Sequence, residues 1–152
     1  MEKTLRRYSV NREQYQEYVD HFNNKRYDDV TSYFAPDITV EYFDNAYGLQ
    51  FPARTLHGRE EFAANYKALH EHTREVLELG DFIESGNLVF AELYTEFHTF
   101  AEDSGGSGQA GWKKGDITIM TNWVMYTMEG NQMKSIRIAH FRNHDPKTAK
   151  HK

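Results

Sequence analysis

Hydrophobic positions in the first seventy residues recur with a helical period. Tyr15, Tyr18, Val19 and Phe22 fall at i, i+3, i+4 and i+7, one face of a helix. Asn11 stands where it can cap that helix, with Gln14 three residues on in capping-box position. A second, short helix is predicted over residues 27–34, burying Val30, Tyr33 and Phe34 and stopped by Pro36. A third spans about 58–70, with Phe62, Tyr66 and Leu69 at helical spacing. Elsewhere the pattern shortens to that of strands: 38–43, 76–84, and three long runs at 88–100, 116–128 and 133–143. Turn signals join the later strands: Ser85-Gly86-Asn87, a Gly-rich stretch, and Glu129-Gly130-Asn131. Helices followed by a long antiparallel meander are an α+β order. The expected architecture is a cone-shaped barrel, a curved, mostly antiparallel sheet packed on three N-terminal helices. A cone of that kind encloses a pocket.

The chain has 152 residues, one ordinary domain spanning 1–152. Its net charge of −5 argues against a general electrostatic grip on nucleic acid. It has no cysteine, which excludes disulfides, thiolate nucleophiles and zinc–thiolate sites. The longest apolar stretch, around 88–91, is far too short to span a bilayer, and residues 1–10 are charged where a signal peptide would be apolar. A cytoplasmic protein with no membrane partner is expected. Ten Phe, ten Tyr and two Trp suit a core with a wet lining. Four glycines in eight residues at 104–111 predict a flexible loop at 102–114, and the basic tail at 146–152 is predicted to fray.

Three stretches carry a resemblance. They are Tyr18-Val19 through Tyr33-Phe34-Ala35-Pro36-Asp37-Ile38-Thr39-Val40-Glu41-Tyr42, then Leu56-His57-Gly58-Arg59-Glu60-Glu61-Phe62, and the closing Ile136-Arg137-Ile138-Ala139-His140-Phe141. In this order they resemble the nuclear transport factor 2-like superfamily, and within it the SnoaL-like cyclases, scytalone dehydratase and ketosteroid isomerase. The resemblance implies a pocket and small-molecule chemistry. It places Tyr18 with the oxyanion-binding tyrosine of ketosteroid isomerase. Tyr42 falls where that enzyme keeps its aspartate base and where scytalone dehydratase keeps a catalytic tyrosine. His98 falls where the dehydratase has an active-site histidine, and its aspartate maps near Asn23. SnoaL and limonene epoxide hydrolase end their last strand with a catalytic aspartate, where this chain reads His140-Phe141-Arg142.

Side chains alternate faces along a strand. In 88–100 one face reads Glu92, Tyr94, Glu96 and His98, and the other Ala91, Leu93, Thr95 and Phe97. Two orientations are open. An ordinary amphipathic strand turns the polar face to water. The resemblance turns it into the cone, where Glu96 and His98 would move protons and Glu92 and Tyr94 would bind substrate. Leu93 and Phe97, with Trp123 and Met125, would then form an apolar outer face, hence an expected homodimer. On the next strand Met120, Asn122, Val124 and Tyr126 share a face, with Asn122 and Tyr126 candidates for binding a substrate oxygen. On the last, Ile136, Ile138, His140 and Arg142 share one, unless a bulge near Gly130 swaps it; the reading favours His140 inward. The candidate catalytic set is His98, Glu96, Tyr42 and His140. The candidate substrate-binding set is Tyr18, Glu92, Tyr94, Asn122, Tyr126 and Arg142.

His70-Glu71-His72 falls at the end of a helix, where i and i+2 point about 200° apart and do not chelate. No P-loop and no nucleophile elbow occurs. The expectation is therefore a cofactor-independent, metal-free isomerase, cyclase or dehydratase acting on a small, largely apolar natural product of polyketide or terpenoid type. A non-catalytic binding or dimerisation module of the same fold is the second reading. Epoxide hydrolysis is the third, and lacks the Asp-Arg-Asp set.

Overall fold

A computed structural model describes residues 10–43, 52–102 and 112–152. The Gly-rich stretch 103–111, on which the loop expectation falls, lies outside the described residues. The first helix, α1 (Arg12–Asn23), carries the full capping box: the Asn11 side chain accepts from the Gln14 N–H and the Gln14 side chain accepts from the Asn11 N–H. Its buried face is the predicted Tyr15, Tyr18, Val19 and Phe22. Helix α2 (Tyr27–Thr31) is shorter than its pattern suggested. Phe34 already belongs to strand β1 (Phe34–Phe43). Pro36 does not stop a helix there. It has no N–H to give, and it sits in a bulge where β1 parts from its neighbour between Phe34 and Thr39.

Strand β2 (Arg54–His57) was not foreseen; four residues with one buried, Leu56, leave little period to read. Helix α3 (Gly58–His70) follows directly, at the predicted bounds. Four long strands close the chain: β3 (Thr73–Ser85), β4 (Leu88–Thr99), β5 (Ile117–Glu129) and β6 (Gln132–His144). The connections Gly86-Asn87 and Gly130-Asn131 are two-residue turns with φ of +59° and +63° at the glycine alone. That is the Gly-first pattern of a II′ hairpin, whose twist matches the strands.

The sheet order is β2-β1-β6-β5-β4-β3. All neighbours are antiparallel except β1 and β6, which are parallel. The sheet is curved and unclosed, and the helices pack on its concave side, α1 against β3 and α3 against β1. Tyr15, Val19, Val30, Phe34, Ile38 and Val40 fill the space between. Among the described residues no helix is long and apolar enough to cross a membrane.

The tail predicted to fray is tied down. Asp145 caps a short 3₁₀ turn, Pro146–Thr148, and the next residues lie against β3 and β4. The Glu96 carboxylate accepts the backbone N–H groups of Lys150 at 2.6 Å and His151 at 3.0 Å. Glu78 takes the Lys150 Nζ at 2.8 Å and the His151 Nε2 at 2.9 Å. Arg74 donates to the His151 carbonyl.

Candidate active site

A cavity of about 210 Å³ opens between the concave face and the helices. Its walls are mostly apolar, with Phe22, Phe62, Leu69, Leu93, Phe97 and Val124 among them. Into this lining project Tyr18, Tyr42, Asn122, Tyr126 and His140, all singled out from the sequence, together with Arg54, Tyr66, Glu75 and Thr95, which were not.

Glu75 is the carboxylate of the lining among the described residues. Its side chain is 7% exposed. Burial pushes its carboxyl above the ordinary range, and the hydrogen bond and charge of His70 work in the opposite direction. His70 Nε2 lies 3.0 Å from Glu75 Oε1, and His70 Nδ1 lies 2.6 Å from the Tyr27 hydroxyl. A neutral imidazole has one donor and one acceptor. The strongest arrangement has Tyr27 donating to Nδ1 and Nε2–H donating to the carboxylate, because the second bond is charge-assisted. Phe22 and Tyr66 pack against the same imidazole, with centroids 5.5 Å and 5.9 Å away. The ring therefore has little freedom to turn. Glu75 is a buried, oriented carboxylate facing an apolar cavity, the setting that makes a carboxyl a proton-transfer group near neutrality.

The tyrosines form hydroxyl pairs. Tyr15 bonds Tyr126, and the Tyr18 ring meets the Tyr126 ring edge-on, with centroids 6.4 Å apart. Tyr42 bonds Tyr66, and the Arg54 guanidinium lies 4.4 Å from the Tyr42 ring centroid. Burial pushes Tyr42 up to about 12, offset in part by Tyr66 and Arg54, and holds Tyr18, Tyr66 and Tyr126 well above their ordinary value. These hydroxyls keep their protons, so they can donate to a neutral or anionic oxygen or accept from a protonated one.

β4 corrects the sequence reading. Its concave face is Ala91, Leu93, Thr95 and Phe97, not Glu92, Tyr94, Glu96 and His98. The polar set lies on the convex side. Glu96 is indeed buried, at 0% exposure, but the C-terminal segment buries it rather than the cone. His98 Nε2 lies 2.8 Å from Glu96 Oε1, and Tyr94 donates to Glu96 Oε2. Burial would raise the Glu96 carboxyl, yet the Lys150 N–H, Tyr94, His98 and the His151 N–H outweigh it and hold it at about 2. A carboxylate so held is a structural anchor. Glu92 accepts from the Trp123 indole at 2.9 Å on the same convex side. Arg142 is likewise outside the cavity: an extra residue at Phe141 in β6 pairs Arg142 with Thr121, so it no longer follows the His140 face. His140 itself points inward as expected, opposite Asn122.

Glu75 escaped notice because the predicted strand started at 76, three residues after β3 begins at Thr73. Thr73, Glu75 and Leu77 alternate as buried residues of β3, and an acidic residue in that register was the available signal. Of the His70/His72 pair, His70 bonds Glu75 and Tyr27, and His72 Nδ1 bonds Thr73 Oγ1 at 3.0 Å. Among the described residues no three His, Asp or Glu side chains cluster as metal ligands would.

Solved structures of low identity share this fold. A protein with a provisional polyketide cyclase assignment from Xanthomonas campestris pv. campestris is 17% identical over 83% of this chain and 86% of its own, with a TM-score of 0.64. One with a provisional ketosteroid isomerase assignment from Kribbella flavida is 10% identical over 86% and 77%, at 0.59. An LEH-like epoxide hydrolase from M. tuberculosis is 9% identical over 82% and 77%, at 0.58. Likeness at these identities carries the fold and leaves the chemistry to the site. No curated protein sequence matches significantly. The family model of the SnoaL-like domain matches residues 15–145, from the buried face of α1 to the end of β6, and the chain belongs to that family.

Proposed function

We propose that this protein is a cofactor-independent acid/base catalyst of the isomerase, cyclase or dehydratase type, acting on a small, largely apolar natural product. The observation that carries the reading is Glu75, a buried carboxylate raised by burial and aimed into an apolar cavity. Glu75 takes a proton from a carbon beside a carbonyl. A tyrosine hydroxyl, Tyr42 or Tyr18, hydrogen-bonds the oxygen on which charge develops. His98 and Glu96 have no part in this step, since they face away from the cavity. A cavity of about 150 Å³ accommodates benzene, so about 210 Å³ suits one substituted ring better than a polycyclic skeleton. The polyketide cyclase and ketosteroid isomerase assignments of the structural neighbours agree with this class of chemistry.

The test uses an unconjugated one-ring enone, cyclohex-3-enone, and follows its conversion to the conjugated isomer by NMR in deuterated buffer. Catalysed isomerisation is expected, with Glu75→Gln lowering the rate by about 10²-fold or more. Undiminished turnover in Glu75→Gln would overturn the assignment. A protein that binds one-ring ligands but exchanges no proton with any of them would be the non-catalytic binding module.

A homodimer through the convex sheet face belongs to the same reading. Leu93 and Phe97 do not contribute to that face, contrary to expectation, but Phe90, Trp123, Met125 and Phe141 do. The Trp123 and Phe141 rings stack at 3.9 Å while remaining 39% and 42% exposed.

A further inference from the structure

The concave face carries a polar stripe set by strand register. Glu75 stands opposite Phe97, and Thr95 opposite Leu77. Thr95 also stands opposite Met120, and Asn122 opposite Leu93. Asn122 stands opposite His140. Glu75, Thr95, Asn122 and His140 therefore run diagonally across the four neighbouring strands β3 to β6, and all four line the cavity. Their neighbours on that face, Leu77, Leu93, Phe97, Met120 and Val124, are apolar.

Thr95 is the anomaly in this stripe. It is 1% exposed, and its hydroxyl has no hydrogen-bond partner among the described residues. A hydroxyl buried without a partner destabilises the fold. Valine has nearly the same shape and would avoid that cost. An unpaired hydroxyl in the cavity lining is suited to a polar ligand.

We propose that the cavity binds a single ring carrying oxygen on two edges, with one oxygen hydrogen-bonded to Thr95 and the other to the Asn122–His140 pair. This rests on the reading of Glu75 given above and names the substrate class for that site. Diagonal neighbours on a sheet lie about 7–8 Å apart. Thr95 and Asn122 are thus separated by a distance that two hydrogen bonds of about 2.8 Å and part of one ring can bridge. Glu75 lies one further diagonal step away, beyond Thr95, so the oxygen held by Thr95 is the one nearer the carboxyl group.

The test is calorimetric titration of the full chain with two probes of similar ring size, resorcinol, which carries two oxygens, and toluene, which carries none. Resorcinol should bind more tightly than toluene. Thr95→Val should weaken resorcinol by about tenfold and leave toluene unchanged, and Thr95→Ser, which keeps the hydroxyl, should restore most of the resorcinol affinity. A thermal midpoint for Thr95→Val at or above that of the parent shows that the variant is folded. The proposal is overturned if Thr95→Val binds resorcinol as the parent does, or if the parent prefers toluene. Glu75→Gln separates the two readings. Undiminished turnover in that variant with the Thr95 effect intact would sink the catalytic assignment alone, and a silent Thr95→Val beside an inactive Glu75→Gln would sink the substrate class alone.

Discussion

Glu96→Gln isolates the contact between the C-terminal segment and the sheet. In the folded protein the carboxyl sits at about 2, against an ordinary 4.5. That difference of about 2.5, at about 1.4 kcal/mol per pH unit, corresponds to about 3 kcal/mol of stabilisation at neutral pH. Glutamine still offers one oxygen, so it can satisfy one of the two backbone N–H groups, but its NH₂ then faces the other donor. A net loss of about 2 kcal/mol is expected, equivalent to a fall of about 4–8 °C in melting temperature for a domain of this size. Because the folded value is depressed, the stabilisation is present above about pH 4.5 and is lost as pH falls towards 2. Urea unfolding at pH 7, 5.5, 4 and 3 should therefore show a full gap between parent and variant at the first two and a shrinking gap at the last two. Hydrogen exchange should show the Lys150 and His151 amides protected in the parent and released in the variant. Equal stability at pH 7 with unchanged protection of those amides would refute the reasoning, since the tail would then be held by something other than Glu96.

Glu75→Gln should have the opposite effect on stability. A carboxyl raised by burial favours folding when protonated and loses that contribution as pH rises, so above neutrality the amide variant should unfold no earlier than the parent even as activity falls. Trp123→Arg should shift the light-scattering mass to that of a monomer at tens of micromolar; an unaltered dimer would place the interface elsewhere. Asn11→Ala removes the side-chain half of the capping box, leaving the Gln14 side chain on the backbone N–H of residue 11, and should cost about 1 kcal/mol by chemical denaturation.

The elements were far more legible in the sequence than the site. α1 and α3 announce themselves because helical spacing, a cap and a glycine coincide at Asn11, Gln14 and Gly58. Long strands separated by Gly-Asn turns are equally plain. What a single strand pattern does not contain is which of its faces turns inward, because a period of two is symmetric between them. For β5 and β6 the faces bearing Asn122 and His140 do turn inward, although Arg142 does not follow. For β4 the resemblance drew the polar face inward. Its Glu96 needed burial, and the pattern held no hint that residues more than fifty positions later would supply it. Thr95 and Glu75 went unnoticed because their meaning depends on neighbours in other strands and helices: on Leu77 and Met120 across the ladder, and on His70 at the end of α3.

The placement of β1 beside β6 has a consequence for synthesis. Eighty-eight residues, 44–131, lie between the end of β1 at Phe43 and the start of β6 at Gln132. At about 5–20 residues per second, a ribosome needs about 4–18 s to make them. Throughout that interval the β1 edge that will pair with β6 has no partner strand, and the wall bearing Tyr42 and Arg54 is held only by β2 and α3. Pairing of such long range is slow to form. The cavity therefore forms late, completed only when Ile136 and Ile138 arrive beside Val40 and Tyr42. A chain arrested before that point would keep most of its secondary structure and have no binding site at all.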